Sequence, residues 1–185
     1  MPTAATPIII ALGANLPSEF GPPRAALGAA LERLAGAGLT ILQRSPWYES
    51  APVPVSDQPW YINGVCTVET ALDPSQLLDL LLNAEAEMGR RRTVANAARF
   101  IDMDLIAYGD RVRRAPEPAP ELPHPRMHTR AFVVLPLADL LPGWRHPVTG
   151  AGIGQLAAEL PADQTIRKMT DAGGLFGTEW AGKAA

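Results

Sequence analysis

Apolar residues fall along this chain in two periods, and the switches between them outline the elements. Ile8-Ile9-Ile10-Ala11-Leu12 is a continuous, β-branched-rich run that predicts a buried first strand, with Gly13-Ala14-Asn15 read as the turn that ends it. Pro22-Pro23 then opens a predicted helix through about Leu34, because Ala26, Leu27, Ala30, Leu31 and Leu34 recur on one helical stripe. Gly36 and Gly38 stop it. Leu39 to Tyr48 reads as a second strand, Ser50 to Pro59 as a proline-rich loop, and Trp60 to Thr70 as a third strand. Asp73 suits an N-cap with Pro74 at the first helical position, and the spacing of Leu77, Leu78, Leu81, Leu82 and Ala84 predicts a helix to about Met88. Phe100 to Tyr108 is the fourth strand, and Arg111 to Arg114 a short edge strand. His128 to Leu141 mixes a helical turn with an apolar run, and Ile153 to Leu160 is a small helix.

This order, β-α-β-β-α-β, predicts an α+β fold of the ferredoxin-like kind. Its antiparallel sheet carries two helices on one face, and the long loops and C-terminal extension cover the other. Residues 1–169 are expected to form one domain. Residues 170–185 are rich in Gly and Ala with little periodicity, and they read as a poorly ordered or loosely docked tail.

Composition narrows the function classes. With 47% hydrophobic and 19% charged residues in 185, the chain has enough apolar material for one core. A net charge of −3 argues against a nucleic-acid binder, so any basic patch must be local. Cys66 is the one cysteine, which excludes an internal disulfide and a cysteine-based zinc site and fits a reducing, cytoplasmic setting. No run is long enough to span a bilayer, and the opening residues lack a basic segment followed by an apolar one. A monomer is the default expectation.

Chemistry concentrates in three places. Asp102 and Asp104 stand two residues apart in a strand, so they share a face while Ile101, Met103 and Leu105 take the other. Two carboxylates this close repel unless a cation lies between them, and a hard ion such as Mg²⁺ is one solution; a solvated rim or a capping pair is another. Arg90-Arg91-Arg92 and Arg99 precede the pair, suited to a polyphosphate or to a solvated helix end. The second place is Pro123-His124-Pro125-Arg126-Met127-His128-Thr129-Arg130, which lacks the companion ligands for zinc and fits either phosphate contact or a structural hydrogen-bonding loop. The third is Tyr61 and Asn63 on one strand face, an aromatic ring beside an amide, fit to stack on and read a flat heterocycle or simply to pack. Neither a Gly-x-x-x-x-Gly-Lys-Ser/Thr loop nor Gly-x-Gly-x-x-Gly is present, so phosphates would be held by side chains and metal.

Five motifs in order carry a resemblance. They are Leu12-Gly13-Ala14-Asn15-Leu16, Tyr48-Glu49-Ser50-Ala51-Pro52-Val53, Asp57-Gln58-Pro59-x-Tyr61-x-Asn63, Arg99-x-Ile101-Asp102-x-Asp104-Leu105, and Pro123-His124-Pro125-Arg126 with Arg130-Ala131-Phe132. Over about residues 7–160 the chain resembles the 6-hydroxymethyl-7,8-dihydropterin pyrophosphokinases of folate biosynthesis. The resemblance implies pyrophosphoryl transfer from ATP to the pterin hydroxymethyl group, with release of AMP. It implies that Asp102 and Asp104 hold two Mg²⁺ ions and, with Arg90 and Arg99, form the catalytic set. It further implies that Tyr61 and Phe132 flank the pterin ring, that Asn63 reads its edge, and that Ser50 and Val53 contact it through the backbone. Glu85, Arg90, Arg92, Arg99, His124 and Arg130 would serve ATP. The chain departs from the family in having Ala97-Ala98 where Gly-Pro is common, and in an arginine loop shortened by one residue that lacks an arginine–tryptophan pair. Two rival readings remain: another two-metal nucleotidyl transferase on the same fold, and a catalytically silent ferredoxin-like module.

Overall fold

Two helices cover one face of an antiparallel sheet, two more cover part of the other, and the uncovered part collects the polar side chains. This is the arrangement in a computed structural model of the chain, which describes residues 6–89, 100–114, 116 and 119–184. The strands are β1 (Ile8–Ala14), β2 (Thr40–Arg44), β3 (Tyr48–Ser50), β4 (Tyr61–Glu69), β5 (Asp102–Tyr108) and β6 (Ile166–Lys168). The helices are α1 (Pro23–Gly36), α2 (Pro74–Glu87), α3 (Ala131–Leu140) and α4 (Ile153–Ala158), with 3-10 turns at Met127–Thr129 and Leu175–Gly177. Strand order is β5-β1-β4-β3-β6, and β2 also pairs with β4, all antiparallel. The class is therefore mixed α+β.

Side-chain alternation divides the strands between two cores. Ile10, Leu12, Cys66, Met103 and Leu105 point to the face under α1 and α2, where they meet Leu27, Leu31, Leu77 and Leu81. Each such fully buried side chain stabilises the fold by about 1.5–3 kcal/mol. Ile9, Ala11, Val65 and Ala107 point to the other face and meet Val133, Val134 and Leu137 of α3 and Ile153 and Leu156 of α4. Asp73 caps α2 through a reciprocal pair of bonds with Gln76, and Pro74 stands at its first turn.

The structure revises four expectations. The second strand is two, β2 and β3, because the chain takes four steps from Arg44 to Tyr48 where β4 takes three from Cys66 to Asn63. Ser45 occupies this bulge and bonds Val65 with both its backbone N–H and its Oγ. The extra residue flips the strand, sending Trp47 into the α1–α2 core and Tyr48 and Ser50 to the polar face. Gly64 makes room for the indole, since a Cβ there would lie 2.7 Å from the Trp47 ring. Second, Gly13 lies inside β1 and not in a turn. Third, the suggested edge strand at 111–114 is only a single bridge from Arg113 to Leu122. Fourth, the segment after 169, expected to be a loose tail, is docked along α1. Trp180 packs edge-on against Phe20 at 5.8 Å and donates to Glu32 Oε2 at 2.9 Å, Glu179 pairs with Arg24, and the Trp47 indole N–H donates to the Phe176 carbonyl at 2.9 Å. Two aromatic anchors outweigh a composition that taken as an average looks featureless.

Candidate active site

The open end of the α3–α4 face is built by register. Asp102 pairs with Gly13, Gly13 with Asn63 and Asn63 with Tyr48, so one row crosses four strands with its side chains on one face. Asp104 pairs with Ala11 in the next row, and Tyr61 with Ser50 in the row on the other side. Gly13 is required here. A Cβ at that position would stand 2.8 Å from Asn63 Oδ1, so only glycine lets the amide lie across the sheet. Asn63 is 4% exposed and donates to Ser50 Oγ at 2.8 Å. Tyr61 donates its hydroxyl to Gln58 Oε1 at 3.2 Å, and buried Asn15 donates to the Pro59 carbonyl at 3.0 Å and to Gln58 Oε1 at 3.4 Å. The sequence pattern does not single out Gln58 and Asn15, although each lies in one of the five motifs. Their signal is a polar amide beside an apolar strand end.

The 120s segment closes the other side. The His124 backbone N–H donates to the Ile106 carbonyl at 2.8 Å, which lays the loop beside β5. His124 Nδ1 accepts the Arg126 N–H at 3.2 Å, leaving Nε2 to face Asp104 Oδ2 at 4.0 Å. Burial lowers the His124 pKa from its ordinary value; Asp104 pulls the other way, and Arg130 and Arg126 add to the lowering. The net direction favours the uncharged ring. Arg130, the N-cap residue of α3, donates to Asp104 Oδ2 at 3.2 Å, and its guanidinium lies 5.5 Å from the centroid of the Phe132 ring. Gln164 clips this helix end by accepting from Ala131 N and donating to the Thr129 carbonyl. The site thus gathers Asp102, Asp104, His124, Arg130 and Phe132 around the strands that carry Ser50, Tyr61 and Asn63.

Two expected members lie outside this group of side chains. Glu85 is 1% exposed on α2 and accepts the Met103 N–H at 2.6 Å, which braces β5 between the two aspartates. Val53 lies in the 51–59 loop with half its surface exposed. Arg90, Arg92 and Arg99, with the rest of 90–99, lie outside the described residues. Asp102 and Asp104 offer hard oxygen donors, which suit a divalent cation such as Mg²⁺. Among the described residues no three His, Cys, Asp or Glu side chains form a metal-holding group. A cavity of about 550 Å³ lies at the far end of β5 between Asp73–Ser75 and Arg111–Arg113 and contains none of this chemistry.

A carboxylate pair, a phosphate-suited histidine and arginine, and an aromatic–amide strand on one sheet face fit the family suggested by the motifs. Residues 9–142 match the profile of that family, described as 7,8-dihydro-6-hydroxymethylpterin-pyrophosphokinase. The chain belongs to this family. The 2-amino-4-hydroxy-6-hydroxymethyldihydropteridine pyrophosphokinase of Pseudomonas aeruginosa is 39% identical over 154 residues, covering 83% of this chain and 91% of the relative. The folic acid synthesis protein fol1 of Pneumocystis carinii is 37% identical over 146 residues, and there the match spans 79% of this chain but only 19% of the fungal protein. Among solved structures, Plasmodium falciparum HPPK-DHPS with STZ-DHP aligns at a TM-score of 0.65 with 15% identity, covering 85% of this chain and 44% of that one. That likeness is one of fold. No helix among the described residues is long and apolar enough to cross a membrane.

Proposed function

We propose that this pyrophosphokinase-family chain carries out its family's reaction at the open end of the sheet. ATP donates its β- and γ-phosphoryl groups as a unit to the hydroxymethyl group of 6-hydroxymethyl-7,8-dihydropterin. The hydroxymethyl oxygen forms a bond to the β-phosphorus, the bond from that phosphorus to the α–β bridging oxygen breaks, AMP leaves, and the hydroxyl proton is released. The observation that carries the reading is the single row Asp102–Gly13–Asn63–Tyr48, which puts a carboxylate and a heterocycle-reading amide on one face.

In this reading Asn63, with Ser50 behind it, presents donors and acceptors to the pterin edge. Tyr61 and Phe132 supply apolar ring faces, and Val53 adds a backbone contact. Arg130 and His124 donate to phosphate oxygens. Their separate anchoring, on Asp104 and on the loop backbone, holds both in place before substrate arrives, the condition under which electrostatic stabilisation is most effective. Asp102 and Asp104 would hold two Mg²⁺ ions, which neutralise phosphate charge and favour the ionised alcohol. Glu85 acts through β5, and Arg90, Arg92 and Arg99 serve the polyphosphate. The strand order further supports a ferredoxin-like core extended by β6; in this reading a monomeric chain is sufficient for activity.

The test is AMP release from ATP and Mg²⁺ with and without the pterin. Release that requires the pterin is the expected result. Equal release without it, or none from folded protein, overturns the reading.

A further inference from the structure

Beyond the site itself, three side chains from three segments meet on one oxygen. The Tyr48 hydroxyl donates to Asp139 Oδ2 at 2.5 Å, and Lys168 Nζ reaches the same oxygen at 2.7 Å while lying 5.8 Å from the Tyr48 ring centroid. Tyr48 belongs to β3 and pairs in register with Asn63 on one side and Lys168 on the other. Asp139 lies on α3, seven residues beyond Phe132, and two residues so spaced share a helical face. Lys168 lies on β6, past the 9–142 span that matches the family.

We infer that Tyr48, Asp139 and Lys168 form a positioning network that sets Phe132 against Asn63 and so fixes the width of the pterin pocket. The inference rests on the pterin reading of those two residues. Helix α3 needs such a tether because Pro136 interrupts it. Lacking an N–H, Pro136 leaves the Phe132 carbonyl without its helical bond, and the turn that carries the ring is weakened. Asp139 restores the constraint from the next turn by tying the helix to β3. Burial opposes the charge on Asp139, but the bonds from Lys168 and Tyr48 outweigh it and hold its carboxyl below the ordinary range. Lys168 is half exposed, so its ion pair alone is worth little. The larger part of the effect belongs to the Tyr48–Asp139 bond, for which the Tyr48 ring is 7% exposed.

The network is a positioning device, so its signature is a split between substrates. Tyr48→Phe and Asp139→Ala should each raise the pterin KM about five- to tenfold, part of what one hydrogen bond to a charged group contributes, with the ATP KM and kcat within about twofold of wild type. Lys168→Met should raise the pterin KM about twofold and Lys168→Arg should restore it. The Tyr48→Phe/Asp139→Ala double variant should be no worse than Asp139→Ala alone, since both remove one bond. Pterin binding to enzyme loaded with a non-hydrolysable ATP analogue, read by fluorescence, should weaken by the same factors as KM. If Asp139→Ala does not fold, the near-isosteric Tyr48→Phe decides. Equal rises in both KM values, or no change in either, from folded Tyr48→Phe overturns the network. A wild-type protein that releases no pterin-dependent AMP overturns the functional reading beneath it instead.

Discussion

The two faces of the sheet are made by the same strands and behave as different materials. Under α1 and α2 the face is apolar apart from Glu85, and Leu31, Leu77, Leu81 and Ile101 have no exposed surface. The opposite face is apolar only where α3 and α4 lie on it, and beyond them it turns to carboxylate, amide, hydroxyl and guanidinium. Met103 and Asp104 are neighbours in sequence, yet one is core and the other belongs to the candidate site. The difference teaches that the chemistry is mounted directly on the core, with one strand's thickness between them. Glu85 crosses that thickness, its carboxylate on the backbone N–H between the two aspartates.

The comparison breaks most visibly if the open end proves structural. Asp102→Asn and Asp104→Asn should each lower kcat by about a thousandfold or more while the thermal midpoint stays near that of wild type. A midpoint that falls with the rate would show that the two faces are not separable. The converse change is Leu81→Ala. It should cost about 2–5 kcal/mol in urea unfolding, because the cavity it leaves cannot fully collapse, and leave kcat nearly unchanged at temperatures where the variant is folded.

Glu85→Ala sharpens the comparison by touching the connection itself. It strands the buried Met103 N–H, so unfolding should become easier by about 1–3 kcal/mol. The rate should fall as well, because a small shift of β5 displaces both carboxylates. Stability and activity change together here and nowhere else in the series. The smallest effect concerns the C-terminal cover of the second face. Burial lowers the His146 pKa, with His128 adding to it, so the folded protein binds a proton there less readily than the unfolded chain does. The stability this gives is complete above the unfolded value of about 6.5 and is lost as pH falls through it. His146→Gln should therefore reduce the drop in thermal midpoint between about pH 7.5 and 5.5 by roughly 1–2 °C.

Elements governed throughout by one period are legible in the sequence. The leucine stripes of α1 and α2 and the cap at Asp73–Pro74 depend on neighbours a few residues away, and alternation in β5 is enough to sort Asp102 and Asp104 from Met103. Legibility ends where a distant partner decides. The break between β2 and β3 depends on Ser45 meeting Val65, and the role of Gly13 depends on an amide fifty residues away. β6 has three residues, too few to show a period, and the docking of residues 170–184 rests on Trp180 finding Glu32 on α1 and Phe20 just before it. Of the candidate site, the motifs named the side chains around the open end. The bond from the Met103 N–H to Glu85 is not legible, since nothing in a helix sequence tells which strand its buried carboxylate will meet.

The most direct test is a crystal structure of the chain with Mg²⁺, a non-hydrolysable ATP analogue and the hydroxymethyl-dihydropterin. The account predicts the pterin ring between Tyr61 and Phe132 with its edge on Asn63, and metal ions on Asp102 and Asp104 bridging to the phosphates. Nucleotide seated away from those carboxylates, or pterin away from Asn63, would contradict it.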